Sequence, residues 1–407
     1  MTPDGAATAT ADVEAVRERF SPVQMMRRIA RGELGEVRVL IGIAVIWTIF
    51  QLANDRFLSA VNLSNLTLQI AAVATISVGV VLVLLLGEID LSVGAVSGLA
   101  ASVMAVLSVK EGLSPELAIV AGLLVGTVIG LFNGLIVTIF GIPSFVVTLA
   151  GLLGWQGVQL AVLGDTGSVN LPPSTVTDLT GTFFDPGIGW LLGFAAIGAY
   201  AATLWLSRRR RVAAGLEVDP LTVLAVKVVL VGAAILAAIA ILNSDRGVPL
   251  AALIVIVLMA LFSFLTQRTR YGRHIFAVGG NQEAARRAGI RINRIKVSVF
   301  MLASTLAAAG GILAASRLLA VNQQSGSGDV LLLAIAGPVI AGVSLFGGRG
   351  SVWAALLGAL VIGSINNGMD LLALESSVKY MVTGGVLLAA VSLDAIARKR
   401  RAASGRI

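Results

Sequence analysis

Stretches of about 20 apolar residues, the length that carries a helix across a bilayer core, recur along this chain from residue 37 to residue 396. Twelve such runs are bounded by charge, proline or glycine: 37–54, 65–86, 91–109, 117–140, 145–163, 188–206, 221–242, 248–266, 297–316, 331–346, 352–372 and 379–396. Some are short or broken by glycine, so the count lies between 11 and 13. Only a helix or a closed barrel satisfies its own backbone polar groups in lipid. The expected fold is therefore all-α, a polytopic helical membrane protein of about 12 transmembrane helices with lipid as its solvent. Residues are 57% hydrophobic and 13% charged, against about 25% charged in a soluble domain. The expected organisation is a tail at 1–36, a transmembrane domain at 37–396 and a basic tail at 397–407. Residues 1–36 carry charges throughout and lack an apolar leader, so the first run is expected to remain as a span. In the tail, Ala11 to Arg31 mixes apolar and charged residues and reads equally as a short interfacial helix or as a disordered polar segment.

Orientation follows from the basic residues. Of the 30 Lys and Arg, 24 fall in segments on one side of the predicted spans, five on the other, and Lys227 lies within a run. Positive charge collects on the cytoplasmic side, which places both termini there. Lys227 sits about seven residues into its run and is expected to snorkel outward along its own stem. The net charge of +8 is thus a matter of topology, and no nucleic-acid partner is expected. Cysteine is absent and His274 is the one histidine, which removes thiolate, disulfide and Cys/His chemistry. No GxxxxGK[ST] loop is present, so any nucleotide site belongs to another chain.

The densest polar segment between runs is 267–296. Gly279 and Gly280 are expected to break the chain there, Asn281 to cap, and Gln282 to Ala288 to form a short helix ended by Gly289. The segment reads either as a basic connector or as a rigid lever offered to a soluble partner. GEIDLSVG at 87–94 sets Glu88 and Asp90 between apolar runs. Such carboxylates need water, a cavity or a partner, or Asp90 caps the following helix. Pro143 in GIPSFVVTLAG, residues 141–151, is placed to start a helix. Gly122, Gly126, Gly130 and Gly134 recur every four residues along one helical face, either for close helix packing or as a smooth wall for a solute. Asn133, Gln69, Gln156, Asn366 and Asn367 are amides within the runs, available to neighbouring helices or to the hydroxyls of a solute. Outside the membrane, 164–187 is rich in Gly, Pro, Thr and Asp, which favour turns, and is a candidate surface for an external partner.

These segments together resemble the permease subunits of binding-protein-dependent sugar ABC transporters, the ribose and xylose group. The resemblance rests on Gly272–Arg273, Ala277, Gly279 to Asn281, Glu283 to Arg286, Gly289 and Ile290, then on GEIDLSVG and GIPSFVVTLAG. It rests further on Gly347 to Ser351 and on Asn366, Asn367 and Gly368. It covers about 62–396 in the family order and looks most like the xylose-type branch. The family's Glu-Leu-Asp element is not intact, since 329–332 reads DVLL.

The resemblance implies a translocating subunit rather than an enzyme, in the bacterial inner membrane, importing a xylose-like monosaccharide by alternating access. It implies a homodimer of this chain, a cytoplasmic ATPase dimer that carries ATP and Mg, and an extracytoplasmic sugar-binding protein. No cofactor is expected on this chain. Gly279, Gly280, Asn281, Glu283, Ala284, Ala285, Arg286 and Gly289 would dock the ATPase. Asp90, Ser92, Asn133, Gln156, Asn366 and Asn367 are the candidates for the pathway or its gate. The competing class is an ion-coupled secondary transporter, with Glu88 or Asp90 as the coupling group. GEIDLSVGA and GGRGSVWAA, each opening a run from the cytoplasmic side, further suggest two parallel halves.

Overall fold

The computed structural model describes residues 35–403. A helix occupies each of the twelve apolar runs. They are α1 (Gly35–Ala53), α2 (Ala60–Leu85), α3 (Val93–Val109), α4 (Pro115–Ile139), α5 (Ser144–Leu163), α7 (Pro186–Ala213), α8 (Leu221–Asn243), α9 (Leu250–Arg268), α12 (Ile292–Leu318), α13 (Asp329–Ile340), α14 (Trp353–Leu371) and α15 (Ser376–Ala403). Three short helices lie outside them: α6 (Thr175–Gly181), α10 (Arg270–Gly280) and α11 (Gln282–Arg287). Among the described residues eight helices, α2, α4, α5, α7, α8, α9, α12 and α14, are long and apolar enough to cross a membrane, and α1, α3 and α13 contribute shorter apolar stretches. The tail reading for Ala11 to Arg31 lies outside the described residues. At the other end α15 runs on to Ala403, through the first seven residues of the segment read as a basic tail.

α12 stands at the centre, packed against α4, α2 and α3. The glycine face of α4 makes that packing close. A Cβ on Gly126 would stand 2.5 Å from the Ser304 carbonyl oxygen, one on Gly130 2.4 Å from that of Phe300, and one on Gly134 2.8 Å from Val297 Cα. At Gly122 the nearest atom would be 3.0 Å away. The face is buried against protein and leaves no room for a passing solute. Gly126→Ala and Gly130→Ala are accordingly expected to lower the thermal stability of the detergent-purified protein by about 1–3 kcal/mol, the usual cost of overpacking, with Gly122→Ala clearly milder. Equal midpoints for all three variants would show that α4 and α12 can separate freely.

The helix ends sort into two sets. At one, the external end, the chain between α5 and α9 is ordered rather than a run of turns. Strand β1 (Ser168–Asn170) pairs with β4 (Ala320–Asn322), and β2 (Phe183–Phe184) pairs with β3 (Val248–Pro249), both antiparallel. Ser174 and Thr177 form a reciprocal capping box at the start of α6. Ser316 of α12 accepts from the Thr180 amide at 3.2 Å, fixing α6 over the bundle. The opposite end carries α10, α11 and the basic segment 268–296, and is the cytoplasmic one by charge. Lys227 reaches back from α8 to Asp219 at 3.0 Å, in line with a snorkelling stem. α7 and α8 form a peripheral hairpin whose side chains are mostly exposed.

Candidate coupling and gating site

Two connections between apolar helices, α2 to α3 and α13 to α14, are irregular breaks in the helical course, and the breaks meet. After α2 the chain does not turn directly into α3: residues 88–92 are non-helical and run beside α5. Buried non-helical backbone needs substitute partners, and α5 supplies them. Ser144 Oγ accepts from the Ile89 amide at 3.2 Å and Thr148 Oγ1 from the Leu91 amide at 3.0 Å. α13, only 12 residues long with Pro338 inside it, ends at Ile340, and 341–352 lead on to α14 as turns and irregular chain. Twelve residues rise about 18 Å, short of a full span.

Glycine brings the breaks together. The Gly348 amide donates to the Leu85 carbonyl at 2.9 Å. A Cβ on Gly87 would stand 3.2 Å from the Phe346 carbonyl oxygen, and one on Gly347 2.6 Å from that of Gly279. Gly347 and Gly87 also have positive φ, 83° and 74°, where side chains are strained. The segments GEIDLSVGA and GGRGSVWAA, read as related, are therefore neighbours.

Onto this junction sits α10, which the sequence reading did not foresee. Gly279 and Gly280 do not break the chain; they form the last two residues of α10, because Gly279 is the point at which that helix touches the end of α2. A Cβ there would fall 1.8 Å from the Leu85 carbonyl oxygen, so only glycine permits the contact. The break comes one residue later, at Asn281, whose φ of −159° leaves the helix. Thr269 caps α10 through the Gly272 amide at 3.2 Å, and Gly272, Ile275 and Val278 bury one face. Tyr271 shares a 2.7 Å hydrogen bond with Ser298 of α12. Burial pushes its phenol above the ordinary tyrosine range and the Ser298 bond opposes, so it stays neutral.

α11 follows. Asn281 Oδ1 accepts from the Ala284 amide at 2.9 Å, and Gly289, at φ 80°, ends it. Ala285 alone is buried, while Glu283, Arg286 and Arg287 project. Glu283 pairs with Arg287 at 3.2 Å and lies 3.8 Å from Arg286. Exposed pairs of this kind stabilise little, about 0–1 kcal/mol, and leave the charges available to a partner.

A second connection runs beneath. Glu88, in the first break, meets Lys296 in the opening turn of α12 at 2.5 Å, and both are largely buried. Glu88 is thereby committed to an internal ion pair, which weakens its case as an ion-coupling group.

Of the polar candidates, Asp90, Ser92 and Asn133 come together. Asp90 does not cap α3; its Oδ1 accepts from the Ser92 amide at 2.8 Å and hydroxyl at 2.6 Å, a turn ahead of the helix, and Ser92 is the capping position. Asn133 Nδ2 donates to Ser92 Oγ at 3.2 Å. Asp90 Oδ2, Asn133 Oδ1 and Trp155 Nε1 are buried without a hydrogen-bond partner among the described residues. Gln156 is half-buried on α5, farther along the membrane. Asn367 lies elsewhere, in an amide clamp of α14 to α2: it receives from Asn62 at 2.7 Å and donates to Asn62 at 3.0 Å and to Gln69 at 3.2 Å. Asn366, next to it, is half-buried.

Gln159 was missed. It donates to the carbonyls of Asn322 and Ser325 at 3.1 and 3.0 Å, pinning the external turn after β4 to α5. Ser144, Thr148, Gly151, Trp155 and Gln159 follow one another at intervals of three or four residues, a continuous stripe along the α5 face toward α3. That spacing is visible in the sequence and was the available signal.

The sequence profile of the family described as "Branched-chain amino acid transport system / permease component" matches residues 62–391. The chain belongs to this family. The permease is 38% identical over 370 residues to the xylose transport system permease protein of Haemophilus influenzae, covering 89% of this chain and 96% of that one. It is 36% identical over 354 residues to the xylose transport system permease protein of Escherichia coli K12, covering 87% and 88%. The ribose import permease protein of Bacillus subtilis is 31% identical over 363 residues, covering 89% and 94%. No solved structure matches. The permease is thus a translocating component and a multi-pass protein of the inner membrane.

Proposed function

We propose that this permease is the membrane subunit of an ATP-driven monosaccharide importer, with a xylose-like pentose as its cargo. It would act as a homodimer, with a cytoplasmic ATPase pair that holds ATP and Mg and an extracytoplasmic protein that delivers the sugar. The observation that carries the reading is the exposed α11 at the tip of α10, itself seated on both helix breaks. The names of the xylose and ribose permeases it resembles support the cargo class.

ATP must stabilise one arrangement of the gate over another, because a ligand that binds both equally shifts nothing. An ATPase pressing on α11 would move α10, and through Gly279 the two breaks with Asp90, Ser92 and Asn133. Gln156 would meet the sugar. It is half-buried on α5, whereas Gly154 and Gly157, on another side of that helix, have no atom within 4 Å of where a Cβ would stand and leave room there for a second copy of the chain. Asn367 would hold α14 on α2 rather than contact cargo.

The test reverses the α11 charges. Glu283→Lys with Arg286→Glu should leave membrane insertion intact, reduce copurification of the coexpressed ATPase severalfold, and abolish uptake of xylose into cells. Normal copurification and wild-type uptake would remove the docking role. Uptake of ribose in place of xylose by the wild type would correct the cargo while leaving the importer reading in place.

A further inference from the structure

The cytoplasmic end of α7 carries features that neither transport nor packing uses. Trp205, Arg208, Arg209, Val212 and Ala213, at intervals that share one helical face, line an open groove of about 490 Å³. The Arg209 guanidinium lies 5.8 Å from the centre of the Trp205 ring, within cation–π range. Arg208 Nε is buried and has no acceptor among the described residues. A guanidinium is all donor, so this N–H and the exposed Arg209 beside it suit an anionic acceptor. Arg268, at the end of α9, donates to Ser207 at 3.0 Å and adds a further positive charge beside it. Toward the bilayer, α7 exposes Leu206, Phe194 and Leu191, an apolar track below the charged end.

We propose that this groove binds the phosphate headgroup of an anionic phospholipid of the cytoplasmic leaflet. Arg208 and Arg209 would hold the phosphate, Trp205 would mark the headgroup level, and the acyl chains would lie along α7. Tryptophan prefers the interface, and basic clusters between or beside spans on the cytoplasmic side suit anionic headgroups. Arginine forks bind phosphate oxygens two at a time. The α7–α8 hairpin packs on the bundle mainly through α8 against α2, so a lipid here would brace its least supported end.

The test measures thermal unfolding of the purified full chain in detergent. Additions of phosphatidylglycerol, phosphatidylcholine or inorganic phosphate are compared. Phosphatidylglycerol should raise the wild-type midpoint and phosphatidylcholine should not. The rise should vanish in Arg208→Gln/Arg209→Gln and shrink in Trp205→Leu. It should persist in Arg210→Gln, whose side chain leaves the other side of α7. A rise equally lost in Arg210→Gln would reduce the run to general positive charge and overturn the site. So would no rise in the wild type, or an equal rise with phosphate alone. Native mass spectra of wild type and Arg208→Gln/Arg209→Gln give a second reading if the variant is less stable: retained anionic lipid on both would likewise overturn it.

Discussion

Gly279→Ala is expected to stop transport with a single methyl group. The added Cβ would fall 1.8 Å from the Leu85 carbonyl oxygen and 2.9 Å from the Gly348 amide nitrogen, both backbone atoms. Carbon and carbonyl oxygen tolerate about 3.3 Å at closest, so α10 must withdraw from α2 by more than an ångström. Withdrawal also disturbs the Gly348 to Leu85 hydrogen bond that ties the second break to the first. Overpacking of this kind costs about 1–3 kcal/mol, and if the productive arrangement bears that cost, uptake falls roughly tenfold to hundredfold. Gly280 is the internal control. It is the next residue in the same helix, and nothing lies within 4 Å of where its Cβ would stand. Gly280→Ala should therefore leave the seating of α10 on α2 intact and lose far less uptake than Gly279→Ala. Uptake of labelled sugar, with surface expression measured in parallel, compares the pair. Equal uptake by both variants would mean that α10 is not seated on α2 in the transport cycle.

That pair also shows where the sequence could be read and where it could not. Gly-Gly before Asn is a helix-ending signal, and Asn281, Gln282 to Arg287 and Gly289 do form the expected cap, helix and stop. What the signal concealed is that a contact distant in sequence, between Gly279 and Leu85, outweighs the weak helix propensity of glycine and carries α10 to Gly280. The twelve helices were legible because apolar length is a local property that lipid imposes. The gaps between runs at 87–90 and 347–351 were legible in the same way; how they are held was not. Residues 88–92 are anchored by the Ser144 and Thr148 hydroxyls, which accept the Ile89 and Leu91 amides from another helix, and no local pattern announces those partners. Asn367 illustrates the same limit: an amide inside a span reads as available to a solute until Asn62 and Gln69 are found beside it. The external segment 164–187 reads as turns because its partners, β3 and β4, lie about 65 and 150 residues onward in the chain from the strands they pair with.

The Glu88–Lys296 pair offers a sharper test of how the breaks are controlled. Lys296→Met should cripple the protein, because it leaves the Glu88 carboxylate largely buried without its cation. Breaking a buried ion pair from one side costs about 3–5 kcal/mol, more than the pair contributes when intact, since both charges were desolvated to form it. Glu88→Gln should be milder, for the amide can still accept from the Lys296 ammonium at the same 2.5 Å position. The exchange Glu88→Lys with Lys296→Glu restores opposite charges and should recover much of the lost function. A purely structural strut predicts that folded yield and uptake fall and recover together across the series. A link between the first break and α12 that also serves coupling predicts a further effect: Glu88→Gln keeps near-normal yield but loosens the dependence of ATP hydrolysis on sugar-loaded binding protein. Folded yield by fluorescence-detected gel filtration, together with ATPase activity of the assembled complex, separates the two. Wild-type yield and activity for Lys296→Met would show that Glu88 finds another partner or water, and the first break would then be held by Ser144 and Thr148 alone.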